Sequence, residues 1–267
     1  VTIASSMRTF YLHRHLIWQM TKREVVGRYR GSVMGILWSF FNPVFMLTIY
    51  TFVFSVVFKA KWGTGADSKT EFAMILFTGL IVFNLFSETV TRAPSLILSN
   101  VNYVKKVVFP LEILPVIPIL SSCFHTLVSI GVLILFRLLV GNGFSFTTVL
   151  FPFVIAPLLL LSLGISWFLA ALGVYLRDVS QTIGLVMTAL MFLSPIFFPI
   201  TALPEKYRIF VYLNPLSFII EQGREVLIFS RLPDWGGLLI YYAFGCVTAL
   251  LGFAWFQKTR SGFADVL

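Results

Sequence analysis

The 267-residue chain is 58% hydrophobic and only 12% charged, with a formal net charge of +9 and a mean hydropathy of +0.92. A water-soluble domain of that length cannot clothe its exterior with so few charged groups, so soluble, disordered and disulfide-scaffold classes are excluded. The basic residues flank apolar runs instead of tiling one face, the pattern of membrane topology and not of nucleic-acid binding.

Residues 1–32 hold six basic side chains and no unbroken apolar core, so they do not read as a signal peptide. At about 100° per residue, Phe10, Leu12, Leu16, Ile17 and Met20 fall on one half of a helix. Arg8, Arg14, Gln19 and Lys22 fall on the other. The segment is expected to form an amphipathic helix along the membrane surface, its basic face toward anionic headgroups.

At roughly 20 residues per crossing, six spans follow. They run from about Val33 to Phe58, Phe72 to Val90, Pro110 to Val140, Thr148 to Tyr175, Ile183 to Ile200 and Leu238 to Phe256. Asn42-Pro43 is expected to break span one locally. Gly31 and Gly35, four apart, have a spacing that allows close helix approach. The apolar stretch from Arg208 to Ile220 is interrupted by Asn214-Pro215 and is too short to cross alone, so it reads as a re-entrant or interfacial hairpin between spans five and six. Six spans put both termini on one side. Basic residues in the non-spanning segments favour that side as cytoplasmic, twelve against eight. The fold class is therefore an all-α polytopic membrane protein with a single domain over 1–267. It comprises an interfacial region (1–32), a six-span bundle (33–257) and a cytoplasmic tail (258–267).

Signatures of catalysis and of nucleotide or metal binding are weak. The segment from Gly63 to Thr70 has Ser68 where a phosphate-binding loop needs its second glycine. His13, His15 and His125 do not form a metal set, and His125, alone in mid-span, reads as a hydrogen-bonded core residue. Cys123 and Cys246 lie in apolar runs and read as core hydrophobes. Glu88 and Arg92, four apart, can pair on one helix face. Coupling carboxylates of an ion-driven carrier are expected near the membrane midplane, and the spans hold none there.

Aromatic residues are abundant at 16%, with 29 phenylalanines. Trp38, Phe41, Phe45 and Phe52 share one stripe of span one, and Tyr50 joins Phe40, Phe54 and Phe58 in an opposed stripe. These rings either pack and face lipid, or line a path along which the C–H faces of sugars slide. The loop from Ser99 to Lys106 is compact and basic, either an ordinary positive-inside loop or a short surface helix.

The run from Arg28 through Tyr-Arg-Gly-Ser-Val-Met-Gly-Ile-Leu-Trp-Ser-Phe-Phe-Asn to Pro43, continuing from Tyr50 to Phe58, resembles the opening of ABC-2 type permeases that export polysaccharides. The stretch from Tyr212 to Arg224 resembles that family's late Asn-Pro…Arg motif. The likeness is nearest to O-antigen exporters, with teichoic acid and capsule permeases as relatives. It implies a homodimer bound to two copies of a separate ATPase, with no cofactor in this chain, ATP and magnesium belonging to the partner. It also implies export of an undecaprenyl-pyrophosphate-linked polysaccharide across the bacterial inner membrane.

By the same resemblance, Asn102, Tyr103, Lys105 and Lys106 fall in the first ATPase-coupling helix, and Arg177 and Asp178 form a second cytoplasmic contact. Tyr207, Phe210, Tyr212, Asn214, Pro215 and Arg224 fall in periplasmic gate helices. Arg28 and Arg30, at headgroup depth before span one, either contact the lipid pyrophosphate or anchor topology. A competing class is a membrane enzyme acting on lipid-linked sugars, for which Glu221, Glu225 and Asp234 are the outer-side acids to test. An ATP-independent channel is a third.

Overall fold

The computed structural model describes residues 9–53, 69–105, 109–141 and 143–267, and among them there is no β-strand. The helices are α1 (Arg14–Gly27), α2 (Trp38–Phe52), α3 (Lys69–Arg92), α4 (Val101–Lys105), α5 (Val116–Leu139), α6 (Phe151–Tyr175), α7 (Val179–Leu193), α8 (Glu205–Leu213), α9 (Pro215–Leu227), α10 (Trp235–Thr259) and α11 (Phe263–Val266). Short 3-10 turns extend several of them. Among the described residues, five helical stretches are long and apolar enough to cross a membrane: Gly35–Phe52, Thr70–Ser95, Leu111–Leu139, Phe146–Tyr175 and Trp235–Val266.

The fifth expected span is shifted. Its helix is α7, 15 residues long, which begins ahead of Ile183 and stops at Leu193. Ser194 adopts an extended backbone because Pro195 disfavours the helical conformation of the residue before it. At about 1.5 Å per residue, α7 rises about 22 Å, short of a hydrocarbon core of about 30 Å. The apolar character of residues 194–200 hid two proline breaks, Pro195 and Pro199.

Span one also differs from expectation. Helix α2 runs through Pro43 without interruption. Pro43 lies in the second turn, where a missing N–H removes one ladder bond. Gly31 (φ +88°) and Gly35 (φ +51°) shape the turn between α1 and α2, and beyond their chain neighbours no atom of the described residues comes within 4 Å of a Cβ added at either. Their role within the chain is left-handed backbone, not a packing notch. The end of the expected span, from Phe54 to Phe58, and residues 63–68 of the glycine-bearing segment lie outside the described residues.

Helix α3 is the axis of the bundle. In its most apolar window 83% of residues are buried, against 11% for span one, which lies at the periphery of the single chain. Around α3 pack α5, α6 and α9, giving one apolar cluster that includes Leu76, Leu133, Leu158 and Ile220. A second cluster lies at the end that carries both terminal segments. It joins Ile17 of α1, Ile97, Phe109 and Leu114 to Trp167, Phe253, Phe256 and Phe263. Trp167 donates its indole N–H to the Glu112 carbonyl at 3.0 Å, and the Glu112 carboxylate pairs with Arg260 at 2.8 Å. The C-terminal tail is therefore docked: Phe263 is fully buried and the Tyr175 hydroxyl donates to the Thr259 carbonyl at 2.9 Å.

Helix α1 buries Ile17, Thr21 and Val25, spaced by four, against this end of the bundle. Phe10, Leu16 and Met20 join the contact as expected, whereas Leu12 is exposed. Cys246 is exposed and Cys123 is half-buried, so only Cys123 approaches a core position.

Candidate functional site

The residues singled out from sequence fall into four places. At the end holding the termini, Glu24 and Arg28 from α1 and its C-cap face Glu88 and Arg92 from α3. Arg28 pairs with Glu88, and Arg92 with Glu24. Arg92 also stands 3.8 Å from Glu88 on its own helix, the spacing expected from sequence. Each helix supplies a Glu and, four residues on, an Arg. The pairs are crossed, Glu24 with Arg92 and Arg28 with Glu88, so every charge meets its opposite. Sequence periodicity found the pair within α3 but not its mates, because nothing local says which helices meet.

Because all four side chains are a fifth to two-fifths exposed, each pair is worth a fraction of a buried one. A double-mutant cycle on Arg28→Gln and Glu88→Gln is expected to give a coupling of about 0.5–1 kcal/mol that shrinks at high salt. A thermal-unfolding cycle with zero coupling would contradict the pairing.

Beside this square is a cavity of about 660 Å3 between α2, α3 and α5, with Met191 of α7 on one side. Arg28, Tyr29, Tyr50, Asn84, Glu88, Ser122 and His125 are among its walls, whereas Arg30 is exposed and outside it. The Tyr29 hydroxyl stands 3.4 Å from His125 Nδ1. Burial holds the Tyr29 phenol above its ordinary pKa, so it keeps its proton at neutral pH. His125 therefore has the neighbour expected on one ring nitrogen, but its Nε2 is buried without a partner among the described residues.

Of the aromatic candidates, Tyr50 is half-buried and faces the cavity. Trp38, Phe45 and Phe52 are exposed, by 36%, 56% and 58%, and Phe41 is half-buried against Phe40 in an edge-on contact. The expected stripe is thus an outward-facing surface of the single chain.

At the opposite end, α8 and α9 meet at Asn214. Tyr207, Phe210 and Tyr212 are exposed on α8. Pro215 opens α9, and the Tyr241 hydroxyl donates to its carbonyl at 2.6 Å. Asn214 caps α9 by accepting from the Leu216 N–H at 2.9 Å, while its Nδ2 donates to Ser194 Oγ at 2.8 Å. Arg224 is completely buried. It donates to the carbonyls of Ile75 at 3.2 Å and Ile196 at 3.1 Å, and to Glu221 at 2.7 Å. Asn214 and Arg224, the polar residues of the late motif, therefore converge on the segment just after α7. There Arg224 satisfies the Ile196 backbone carbonyl, which lies past the helix break at Ser194-Pro195, and Asn214 donates to the Ser194 hydroxyl.

Each of the three acids of the enzyme reading already has a partner. Glu221 serves Arg224, Glu225 is 3.7 Å from Arg231, and Asp234 caps α10 by accepting from the Gly237 N–H at 3.1 Å.

Among the coupling candidates, Asn102 and Lys105 are exposed on α4, and Tyr103 stacks on Phe109 with ring centroids 4.4 Å apart. Lys105 donates to the carbonyl of Leu267, tying α4 to the C-terminus. Lys106 lies outside the described residues. Arg177 and Asp178 are exposed in the turn between α6 and α7. The two places are linked by the 3-10 turn after α3: a Cβ on Gly173 of α6 would stand 2.1 Å from the Pro94 carbonyl.

Comparison with known proteins agrees with this architecture. Residues 15–228 match the ABC-2 type transporter family. The chain is 26% identical to the O-antigen export system permease protein RfbA of Myxococcus xanthus over 261 residues, covering 97% of this chain and 98% of that protein. It is 27% identical to the protein of the same name from Klebsiella pneumoniae over 253 residues, covering 94% and 95%. It is also 27% identical to the polysialic acid transport protein KpsM of Escherichia coli over 242 residues, covering 88% and 90%. The apolar helices, the family match that takes in most of them and the near full-length likeness to export permeases agree: this chain is a multi-pass membrane protein and belongs to the ABC-2 type transporter family.

Proposed function

We propose that the chain is the membrane subunit of an ATP-driven exporter of lipid-linked polysaccharide, with O-antigen as cargo. Two copies line a path across the inner membrane and bind two copies of a separate ATPase. Both termini, α4 and the turn at Arg177-Asp178 face the cytoplasm, where the ATPase docks. The substrate is glycan on undecaprenyl pyrophosphate, taken from the cytoplasmic leaflet, and the α8–α9 hairpin gates its exit. Arg30 is the better placed arginine for the pyrophosphate, since Arg28 already pairs with Glu88.

The observation that carries this reading is the outward face of span one. Trp38, Phe45 and Phe52 are exposed, and the span is only 11% buried by its own chain. A second copy across that face would turn an exposed aromatic stripe into the wall of a sugar path. Flat rings hold apolar sugar faces weakly, as a sliding polymer requires. The capsule reading stays beside it, because the chain is also 27% identical to the polysialic acid transport protein, over 242 residues against 253 for an O-antigen permease.

Single Ala substitutions at Trp38, Phe45 and Phe52 test the path. Each loses about 0.5–1.5 kcal/mol of stacking, which at 1.4 kcal/mol per decade is about two- to tenfold slower glycan export. The dimer, measured by light scattering, should persist. Normal export, or loss of the dimer instead, would count against the path.

A further inference from the structure

The cavity beside the charge square has features that the export reading does not use. Its walls put hydroxyl, carboxamide and imidazole groups on spanning helices, where polar groups are costly unless partnered. Two of its polar atoms have no partner among the described residues: Ser122 Oγ and His125 Nε2. Ser122 is only 1% exposed. Neighbouring hydroxyls behave otherwise. Ser129 and Thr89 return hydrogen bonds to carbonyls of their own helices at 2.9 and 2.8 Å. A buried polar group left unmatched costs about 1–3 kcal/mol, a cost that an occupant able to hydrogen-bond would relieve.

Charge narrows the choice of occupant. Both guanidiniums at this place are already matched, Arg28 by Glu88 and Arg92 by Glu24. An anion would have to displace a carboxylate, whereas a neutral polar molecule would not. Tyr50 adds an aromatic ring to the lining, and Asn84 adds both a donor and an acceptor. Apolar ring faces beside hydroxyl and carboxamide groups suit a molecule with hydroxyls at its rim and C–H bonds on its faces. About 660 Å3 lies within the range of small-ligand sites.

We propose that this cavity, lying within one chain and apart from the outward aromatic face, binds a neutral pyranose. Ser122, His125 and Asn84 hydrogen-bond its hydroxyls and Tyr50 packs on its C–H face. The proposal rests on the export reading only in that such a sugar is then present, carried on the lipid. It would hold a sugar residue of the cargo before the glycan enters the path between two copies.

The test uses the full chain with its ATPase in lipid nanodiscs. Cys123 and Cys246 are replaced by serine, and a reporter thiol is introduced by Ser87→Cys at the cavity wall. The reading is the rate of maleimide labelling with four probes: undecaprenyl pyrophosphate bearing N-acetylglucosamine, the same lipid without sugar, methyl N-acetylglucosaminide and inorganic pyrophosphate. At ten times its Kd, an occupying ligand should slow labelling about tenfold.

Protection by the sugar-bearing lipid and by the free glycoside is expected, and adding Ser122→Ala and Asn84→Ala should weaken both. Protection by the sugar-bearing lipid alone would keep the sugar site and make the lipid its required carrier. Equal protection by the sugarless lipid or by pyrophosphate would overturn the proposal in favour of an anion site. No protection by any probe, with the dimer intact, would make the cavity water-filled packing. ATP-dependent export is measured on the same preparation. Export without protection sinks the sugar site alone, and protection without export sinks the export reading alone.

Discussion

Replacing Arg224 with alanine should lower stability by about 3–5 kcal/mol, enough to remove most of the folded protein from a membrane extract. The side chain is wholly buried and bonds the Ile75 and Ile196 carbonyls as well as Glu221. Alanine strands two carbonyls and leaves the Glu221 charge without its partner. Lysine should rescue only part, since one ammonium cannot span acceptors on three separate segments as a planar guanidinium does. It also sits where Gly79 makes room: a Cβ there would stand 3.0 Å from Arg224 Nη2. Glu221→Gln should cost less, because that carboxylate is a third exposed and the backbone acceptors remain. Size-exclusion profiles after graded heating would read all three. An Arg224→Ala protein as heat-stable as the parent would contradict the buried network.

The second large effect is expected where α6 and α10 touch backbone to backbone. A Cβ on Gly252 would stand 2.0 Å from the Gly164 carbonyl oxygen, and one on Gly164 would stand 2.4 Å from that of Thr248. Farther along, a Cβ on Gly245 would stand 2.7 Å from the Pro157 carbonyl. Small residues let spanning helices approach in this way when lipid offers no hydrophobic drive for their association. The obstructing atoms are backbone and cannot swing aside. Gly252→Ala should therefore cost about 3 kcal/mol, at the top of the usual overpacking range, and Gly252→Leu should prevent assembly of the bundle. Gly131 of α5 is the control, since outside its own helix backbone nothing among the described residues lies within 4 Å of an added Cβ. Gly131→Ala should be neutral or stabilise by about 0.5–1 kcal/mol through helix propensity. Equal tolerance of Gly252→Ala and Gly131→Ala in a heat-challenge assay would refute the close crossing.

Much of this architecture was legible from apolar run length, because a lipid-facing helix must be apolar along its whole course. Spans two, three, four and six follow directly. The bounds of span five were misjudged because composition does not distinguish a continuing apolar helix from an apolar loop. Pro195 and Pro199 did carry that signal. The break between α8 and α9 was readable from Asn214-Pro215, but its partners were not. The grip of Asn214 on Ser194 and of Arg224 on Ile196 joins segments 20 and 28 residues apart, and no local pattern encodes such meetings. The same limit hid the mates of Glu88 and Arg92. The aromatic stripe was legible as a stripe, yet periodicity cannot say whether a face looks inward or outward. The structure turns Trp38, Phe45 and Phe52 outward and Tyr50 toward the cavity.

The central claim is that the chain supplies a passage and not the power. Purified protein should be reconstituted with and without its ATPase into vesicles carrying lipid-linked O-antigen glycan. Appearance of glycan on the far side is then followed with ATP or a non-hydrolysable analogue. The account predicts transfer only when the ATPase and hydrolysable ATP are both present. Transfer by the chain alone, or chemical alteration of the glycan lipid without transfer, would contradict it.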